Sequence, residues 1–525
     1  MRYLTDYMSY RDAIEHFSSD ALWDLFDGDR ASLNIAHECI DRHATDGERV
    51  AVRIAHDDGR DECLTFVEIA QWSSRFAHFL QANDVAAGER VAVMLEPSLA
   101  FYAALFGCMK AGAVAVPMFT LFGPEGARLR LDDCTPKLLL TNQEKADTIG
   151  AVPRVRLIVA DDAFLEQLAQ YSDSFTTQSA ADDLAAFQYT SGTTRALPEA
   201  IRHAHRAVVL VTIAALYGTG IRPGDEFFCP SSPAWGHGLW HGTLAPLALG
   251  VTTGVYSGRF DANRLMQALQ DYRVTNLSAA ATHYRMMNNA GTAQQYRFSI
   301  KKLSYTGEPI DSDTLAFVED VFAQPVCSMY GTTEIGVILV NYPGAKDFPV
   351  KPGSLGKPVP NVVVEVRRPD GERAACNETG EIMLKRRGGW YPTKDLGRVD
   401  EDGYFYHVGR ADDVIISAGW TMSAVEIENA LLAHTDIQEA AAIGVSDETR
   451  GQIVKAFLVS PRDATDAFCA EVQEFVRSRL SQHEYPRQIE VVAELPKTPA
   501  GKVNRKVLRE RGLAAPASAR EGPAQ

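Results

Sequence analysis

Short apolar runs and longer helical segments alternate along the chain from about residue 50 to about residue 340. The run ERVAVML is followed by the helical segment SLAFYAALFGCMKAG and then by AVAVPMF, and later runs read PKLLLT, VRLIVA, EFFCPS and VTNLSAA. Strands that are separated by helices pair mostly in parallel, with the helices covering the faces of the sheet. The alternation therefore predicts an α/β fold built on mostly parallel sheets flanked by helices.

The pattern changes between about residues 350 and 408, where strands with alternating polarity are separated by Asp-Gly and Gly-Gly turns. Such a pattern predicts a small antiparallel sheet or barrel. Farther on, an amphipathic helix near Val425 to His434, strands at EAAAIGV and KAFLVS, and a helix near 465–480 are typical of a compact α+β unit. We therefore predict a large N-terminal domain over residues 1–410, a smaller mobile C-terminal domain over 411–512 and a disordered tail over 513–525.

The charge balance excludes some classes of partner. Lysine and arginine together number 52 and aspartate and glutamate 68, so the formal net charge is −16. This excess of negative charge opposes sequence-independent binding to nucleic acid or to an anionic membrane surface. The eight cysteines are scattered without a Cys-x-x-Cys pair, which disfavours a zinc site and fits thiols in a reducing cytosol.

No targeting segment is evident in the sequence. The first residues, MRYLTDYMSYRDAIEHF, lack the apolar core of a signal peptide. The longest apolar stretch is interrupted by Lys110 and Gly112, which favours a buried helix followed by a strand over a membrane span. We therefore expect a cytoplasmic protein with no membrane span.

A turn of small and hydroxylated residues follows the strand-like run from Leu184 to Tyr189. Its members are Thr190, Ser191, Gly192, Thr193 and Thr194. Turns of this composition commonly hold phosphate, because glycine lets the backbone come close and the N–H groups and hydroxyls face the anion. The lysine that usually accompanies such a loop is missing, and Glu199 stands where a positive charge is expected.

Five further motifs follow this loop in a fixed order. They are TGEP at 306–309, YGTTE at 330–334, YPTKDLG at 391–397, GRADDVI at 409–415 and PKTPAGKVNR at 496–505. Together with the loop, the set resembles the superfamily of adenylate-forming enzymes over about residues 30 to 510, and among them the acyl-CoA synthetases. The resemblance implies that a carboxylic acid attacks the α-phosphate of ATP, which releases pyrophosphate, and that the acyl group then passes from the adenylate to a thiol.

The resemblance also implies roles for residues of the larger domain. Thr190 to Thr194 hold the β- and γ-phosphates, Thr333 bonds the α-phosphate and Glu334 binds Mg²⁺ through oxygen, as a hard cation requires. The remaining nucleotide contacts assigned in this way are those of Gly307, Glu308, Pro309, Tyr330, Gly331 and Thr332. The alternatives are a plain turn for the loop, a helix cap or surface acid for Glu334, and a strand-end turn for TGEP.

Later motifs supply the ribose contacts and the moving parts. The resemblance implies that Asp395 accepts both ribose hydroxyls, that Arg410 contacts ribose or phosphate, and that Asp412 is the hinge, with a solvated turn acid as the alternative. It also implies that Lys502 bridges the carboxylate and the α-phosphate, a role that suits a flexible ammonium, and that Gly419 and Trp420 contact CoA.

The segment SSPAWGHGLWHGTLAPLALG at 231–250 resembles the part of the family that forms the acyl pocket and the gate toward the thiol. Trp235, His237, Gly238 and Trp240 are the candidate pocket residues. Aromatic residues on an apolar helix can equally be core, so both interpretations stay open.

The chain departs from the family pattern at several positions. In the loop, Arg195 replaces a glycine, Glu199 replaces a lysine and Ala200 replaces a glycine, and the loop is one residue longer before His203. Arg195 or Arg202 is therefore expected to supply the missing charge. Lys394 replaces a glycine beside Asp395, which predicts a change in the local backbone.

The resulting hypothesis is an ATP-dependent acyl-CoA synthetase that uses Mg²⁺, ATP, CoA and a medium-chain or aromatic acid. Because no carrier-protein domain follows Arg505, free CoA is the expected acceptor. The alternatives are a stand-alone adenylating enzyme that loads a carrier protein, and a non-catalytic nucleotide-binding relative.

Overall fold

A computed structural model of the chain describes residues 2–189, 200–307, 309–332, 335–411, 414–417, 420–447, 451–480, 485–497 and 503–514. The chain divides into two compact units, Met1–Val363 and Val364–Gln525. The predicted domain boundary at residue 410 lies inside the second unit and stays a prediction.

The first unit contains two large sheets. Its strands in chain order are β1 (Val50–His56), β2 (Asp61–Thr65), β3 (Arg90–Met94), β4 (Val114–Pro117), β5 (Leu138–Thr141), β6 (Arg156–Val159), β7 (Leu184–Gln188), β8 (Ile201–Ala204), β9 (Phe227–Cys229), β10 (Thr253–Ser257), β11 (Asn276–Ala280), β12 (Lys302–Thr306), β13 (Val326–Thr332), β14 (Gly336–Val340) and β15 (Lys357–Pro358).

Parallel pairing dominates both sheets. The nine-stranded sheet has the order β15-β14-β13-β12-β11-β9-β10-β1-β2, and the strands from β13 to β1 are all parallel. The six-stranded sheet has the order β6-β5-β3-β4-β7-β8, in which only the edge pair β7-β8 is antiparallel. The predicted α/β class with mostly parallel sheets is confirmed.

Helices connect these strands and cover the sheets. They are α1 (Tyr10–His16), α2 (Ser19–Trp23), α3 (Ile35–Cys39), α4 (Phe66–Ala82), α5 (Leu99–Lys110), α6 (Pro124–Cys134), α7 (Gln143–Ile149), α8 (Asp162–Leu168), α9 (Ala207–Tyr217), α10 (Ala245–Ala248), α11 (Ala262–Asp271), α12 (Ala281–Ala290) and α13 (Ser312–Phe322). Short 3₁₀ turns span Leu4–Asp6, Asp41–His43 and Ala293–Gln295, and a π-helical segment spans His237–Leu244.

The longest apolar stretch of the sequence forms α5 and β4, as predicted. α5 is buried around almost its whole circumference, from Phe101 to Lys110. The Lys110 ammonium at its end lies 2.7 Å from an Asp41 carboxylate oxygen and donates to the Ala70 carbonyl and to Ser74, which compensates its burial. In the part of the chain that is described, no helix has both the length and the apolar composition to cross a membrane.

The second unit contains two smaller sheets. Strands β16 (Val364–Arg367), β17 (Gly380–Arg386), β18 (Gly389–Val399) and β19 (Phe405–Arg410) form an antiparallel meander, as the alternating pattern predicts. The other sheet contains β20 (Val414–Ser417), β21 (Trp420–Ser423), β22 (Glu439–Asp447), β23 (Gly451–Val459) and β24 (Gln488–Val491). It packs with helices α14 (Ala424–Leu432), α15 (Asp466–Arg479) and α16 (Arg505–Ala514), which confirms the predicted α+β character.

A bulge in β18 sets the position of Asp395. The β17-β18 register shifts between Glu381 and Met383, and Thr393 donates its hydroxyl to the Ile382 carbonyl. Lys394 takes φ = +63°, the left-handed conformation that glycine adopts without steric cost, and its N–H donates to the Glu381 carboxylate. The backbone at this departure from the family pattern is therefore of the kind that glycine favours.

Replacing Lys394 by glycine should raise the free energy of unfolding by about 1 kcal/mol, because the steric cost of the left-handed conformation is removed. Urea unfolding followed by circular dichroism measures this change. Lys385→Gly, in the regular part of β17, is the matched control and should destabilise the protein. A loss of stability in Lys394→Gly would show that the contacts of the lysine side chain stabilise the protein by more than the left-handed backbone conformation destabilises it.

Candidate active site

The carboxyl ends of four neighbouring parallel strands bring several candidate residues of the first unit to one edge of the nine-stranded sheet. β9 leads into Ser231, β11 ends at Ala280, β12 ends at Thr306, and β13 reaches Tyr330. In open α/β sheets, ligands bind in the crevice outside the carboxyl ends of the strands. The residues that follow these four strands in the first unit therefore lie at this edge.

The YGTTE motif begins at the end of β13 and leads into β14. Tyr330 pairs with Leu339 and Gly331 with Val337, across an irregularity in the register. A Cβ at Gly331 would lie 2.0 Å from the Gly336 carbonyl oxygen, so the close approach of the two strands requires glycine here. Thr332 ends β13, whereas Thr333 and Glu334 lie outside the described residues.

The TGEP motif follows β12 directly. Gly307 has φ = +100°, so the chain turns at the end of the strand in a conformation that favours glycine. Pro309 is exposed, and Glu308 lies outside the described residues. The structure therefore brings Gly307 and Tyr330 to the same sheet edge, on adjacent strands, while their contacts with adenine stay a prediction.

His237 begins the π-helical segment and is fixed on both sides. Its Nδ1 lies 2.9 Å from the Ser231 hydroxyl and its Nε2 lies 2.9 Å from the Ser278 hydroxyl. Burial, with smaller contributions from His241 and His283, lowers the pKa of His237 well below its ordinary value. The imidazole is therefore neutral near pH 7, with one nitrogen donating and the other accepting.

Trp240 connects the π-helical segment to the strand that precedes the hydroxyl-rich loop. Its indole Nε1 donates to the Gln188 side-chain oxygen at 2.8 Å, and its ring centroid lies 4.6 Å from that of His203. Gln188 is the last residue of β7, two positions before Thr190. The candidate acyl segment and the start of the loop are thus joined by one buried hydrogen bond.

The four predicted acyl-pocket residues differ in solvent exposure and in how closely they are packed. Trp235 is partly exposed with its ring centroid 5.5 Å from that of His237, whereas Trp240 is 6% exposed. A Cβ at Gly238 would lie 2.1 Å from the Ser232 carbonyl oxygen, so this glycine allows the turn at 231–232 to pack closely. Trp235 is consequently the candidate best placed to contact an acyl group.

Asp395 is a buried carboxylate in the second unit, with 5% of its surface exposed. Its N–H donates to the Thr393 hydroxyl at 3.1 Å, and its Oδ1 lies 3.6 Å from Nε2 of His407. Arg410 is its cross-strand partner on β19, although only the backbone of Arg410 is described. A carboxylate has two oxygens that can accept hydrogen bonds, whereas the contact of Asp395 with ribose stays a prediction.

Several predicted residues lie outside the described part of the chain. They are Thr190, Ser191, Gly192, Thr193, Thr194, Arg195, Glu199, Asp412, Gly419 and Lys502. Trp420 begins β21, and only its backbone is described. Arg202 is exposed on β8, with its guanidinium carbon 5.4 Å from the centre of the Phe187 ring. The roles predicted for the residues outside the described part, for Trp420 and for Arg202 stay predictions.

Sequence reasoning missed three polar residues that fix the site. Gln188 holds Trp240, whereas Ser231 and Ser278 hold His237. Gln188 ends β7 and Ser231 follows β9, so a polar residue at the carboxyl end of a parallel strand was the available signal for these two. Ser278 lies in the middle of β11, where no such signal marks it. Among the residues described, no group of three or more histidine, cysteine or acidic side chains could hold a metal ion.

Comparison with known proteins places the chain in a family. Residues 40–389 match the AMP-binding enzyme family, and residues 426–502 match the AMP-binding enzyme C-terminal domain. Acetyl-coenzyme A synthetase of Bacillus subtilis is 29% identical, over 97% of this chain and 96% of its own length. Acyl-coenzyme A synthetase ACSM3 of Mus musculus, a mitochondrial protein, is 30% identical over 91% of this chain and 90% of its own length.

Solved structures share the fold. An acyl-CoA synthetase of Brucella canis has a TM-score of 0.75 at 30% identity, covering 97% of this chain and 99% of that one. The anthranilate CoA ligase AuaEII, in complex with anthranoyl-AMP, has a TM-score of 0.83 at 24% identity, with coverages of 94% and 99%. The chain belongs to the AMP-binding enzyme family and, within it, to the adenylate-forming acyl-CoA synthetases.

Proposed function

We propose that this AMP-forming acid–thiol ligase activates a medium-chain or aromatic carboxylic acid and transfers it to free CoA, releasing AMP and pyrophosphate. The observation that supports this proposal best is the aromatic π-helical segment, which a hydrogen bond from Trp240 to Gln188 joins to the strand before the phosphate loop. An apolar acyl group and the phosphates of ATP would then be held by neighbouring parts of one unit.

Adenylation brings two anions together, and the protein must neutralise that charge while it aligns the reacting oxygens. We assign the β- and γ-phosphates to Thr190–Thr194, the α-phosphate to Thr333, and the ribose hydroxyls to Asp395. Lys502 is assigned to the carboxylate and the α-phosphate. The neutral, doubly hydrogen-bonded His237 adds no charge to this arrangement, so it serves as a rigid wall rather than as an acid or base.

The acid itself is to be identified by experiment, because the relatives differ in the acids that their names state. They include an acetyl-coenzyme A synthetase, a 4-hydroxybutyrate–CoA ligase and a 3-hydroxybenzoate–CoA ligase. Pyrophosphate release measured with a panel of short, medium-chain and aromatic acids tests the proposal. Acetate as the preferred acid would overturn the medium-chain or aromatic assignment, and release that depends on a carrier protein instead of CoA would overturn the acceptor.

Mg²⁺ is proposed to enter with ATP and to be held by Glu334 and the phosphate oxygens. Magnesium keeps several waters and needs only one or two carboxylates when phosphates supply the other ligands, so a dedicated cluster of acids is not required. When bound, the ion would withdraw charge from the phosphates. We also propose a cytoplasmic location, because the scattered cysteines fit thiols in a reducing cytosol.

Trp235→Ala should change the preference among acids, because it removes the most exposed aromatic ring of the acyl segment. We expect kcat/KM for the preferred acid to fall about tenfold relative to a shorter acid, the discrimination that an apolar contact supplies. Trp72→Ala, on α4 beneath Arg75, is the control for the loss of a tryptophan as such. An equal change for all acids would remove Trp235 from the pocket.

Glu334→Gln should lower the adenylation rate at least tenfold and raise the Mg²⁺ concentration needed for half-maximal rate, because one charged oxygen ligand is lost. Isotope exchange between pyrophosphate and ATP measures both quantities. Glu319→Gln, an exposed acid on α13, is the matched control. If the dependence on Mg²⁺ is unchanged in Glu334→Gln, the metal is held elsewhere.

Lys502→Ala should abolish most acyl-adenylate formation, because the positive charge between two anions is lost, while thioester formation from supplied acyl-AMP stays nearly normal. Pyrophosphate exchange reports the first half-reaction, and conversion of synthetic acyl-AMP with CoA reports the second.

The control for Lys502→Ala is Lys497→Ala, which removes a lysine of the same sequence motif whose ammonium lies 2.8 Å from Glu439. It should leave both half-reactions intact. Asp412→Pro, by stiffening the proposed hinge, should impair the second half-reaction more than the first. Equal losses of both halves in Lys502→Ala would contradict a domain that alternates between the two steps.

A further inference from the structure

One carboxylate of α6 binds the residues on both sides of the hydroxyl-rich loop. Oδ2 of Asp133 accepts a hydrogen bond from the Tyr189 hydroxyl at 2.7 Å and another from the Ala200 backbone N–H at 3.2 Å. Tyr189 is the residue before Thr190, and Ala200 is the residue after Glu199. The two ends of the segment 190–199 are therefore held at a single oxygen atom.

The antiparallel ladder does not hold these two residues. The last cross-strand pair of β7 and β8 is Gln188 with Ile201, so Tyr189 and Ala200 lie just beyond it. Tyr189 is 3% exposed and Ala200 is 9% exposed, and a buried polar group needs a hydrogen-bond partner. Asp133 supplies that partner for the Ala200 N–H and extends the restraint of the hairpin by one residue on each side.

The end of α6 is itself fixed against Tyr189. The guanidinium carbon of Arg130 lies 3.8 Å from the centre of the Phe122 ring and 5.6 Å from that of Tyr189. The Arg130 carbonyl oxygen lies 2.9 Å from the Tyr189 hydroxyl and offers a second acceptor. Burial raises the pKa of the Tyr189 hydroxyl far above its ordinary value, so the hydroxyl remains a donor at every working pH.

We propose that Asp133 is a positioning residue for ATP, which sets the spacing of the two ends of the phosphate loop through Tyr189 and Ala200. This inference rests on the proposed role of Thr190–Thr194 in holding phosphate. Because Glu199 replaces the lysine of the family pattern, the hydroxyls and amides of the loop bear more of the binding, and these groups depend on backbone position. A carboxylate that fixes both ends would preserve that position without contacting the nucleotide.

Asp133→Ala should raise the KM for ATP about five- to tenfold, the effect of one typical net hydrogen bond on an equilibrium. The KM for the carboxylic acid should change little, and the thermal midpoint should fall by a few degrees because the Ala200 N–H loses its acceptor. Asp133→Asn keeps an oxygen acceptor at the same place, so its KM for ATP should stay within about twofold of the wild-type value. Initial rates of pyrophosphate release at varied ATP and varied acid give these constants.

Tyr189→Phe removes only the hydrogen bond from the Tyr189 hydroxyl to Asp133 and leaves the bond from the Ala200 N–H in place. It should raise the KM for ATP by less than Asp133→Ala does, because the Ala200 N–H keeps its acceptor. The double variant should resemble Asp133→Ala alone, as expected for two residues that act through one interaction. Asp132→Ala is the matched control, since Asp132 is the neighbouring exposed acid on α6 and Tyr189 and Ala200 do not bond to it.

The outcomes separate this inference from the proposed function. An unchanged KM for ATP in Asp133→Ala, or an equal rise in the KM for ATP and for the acid, overturns the positioning role. Thr193→Ala is measured in parallel. If Thr193→Ala also leaves the KM for ATP unchanged, the phosphate role of the loop fails, whereas a rise in Thr193→Ala with no change in Asp133→Ala overturns only the inference about Asp133.

Discussion

Because β9, β11, β12 and β13 run in parallel, their carboxyl ends meet at one edge of the nine-stranded sheet. Residues that are far apart in the sequence, from Ser231 to Tyr330, come together there because their strands are neighbours in the sheet. A parallel strand must return through a helix before the next one starts, and those helices bury the faces of the sheet. The same pairing that forms the core thus leaves a polar edge for chemistry.

Burial at this edge favours neutral polar groups. His237, His241 and His283 all have a lowered pKa, mainly because burial disfavours the imidazolium. Serine hydroxyls suit such rings as partners, because a hydroxyl can donate to one nitrogen or accept from the other without adding charge. This edge of the sheet therefore gains shape and polarity from neutral side chains, while the charges that ATP needs are proposed to come from other residues.

Periodicity and motif order predicted the parallel α/β architecture, the antiparallel meander and the family. They could not predict how the strands divide between a nine-stranded and a six-stranded sheet, since the order depends on packing between distant segments. Asp133 and Ala200 are 67 positions apart, and nothing local to either residue indicates their contact. Lys394 was recognised as a departure from the pattern, but its left-handed φ is set by the bulge and by Glu381, which only the pairing of β17 and β18 reveals.

In the π-helical segment His237–Leu244, the number of residues, as well as their identity, sets where each side chain of the proposed acyl site lies. A π-helix holds more residues in each turn than an α-helix does, so loss of one residue would allow this segment to relax to an α-helix. Each residue of an α-helix advances the side chains by about 100°, so the loss of a residue before Trp240 would turn its indole away from Gln188. The number of residues in this segment can therefore alter the proposed acyl site while every strand of the sheet stays in place.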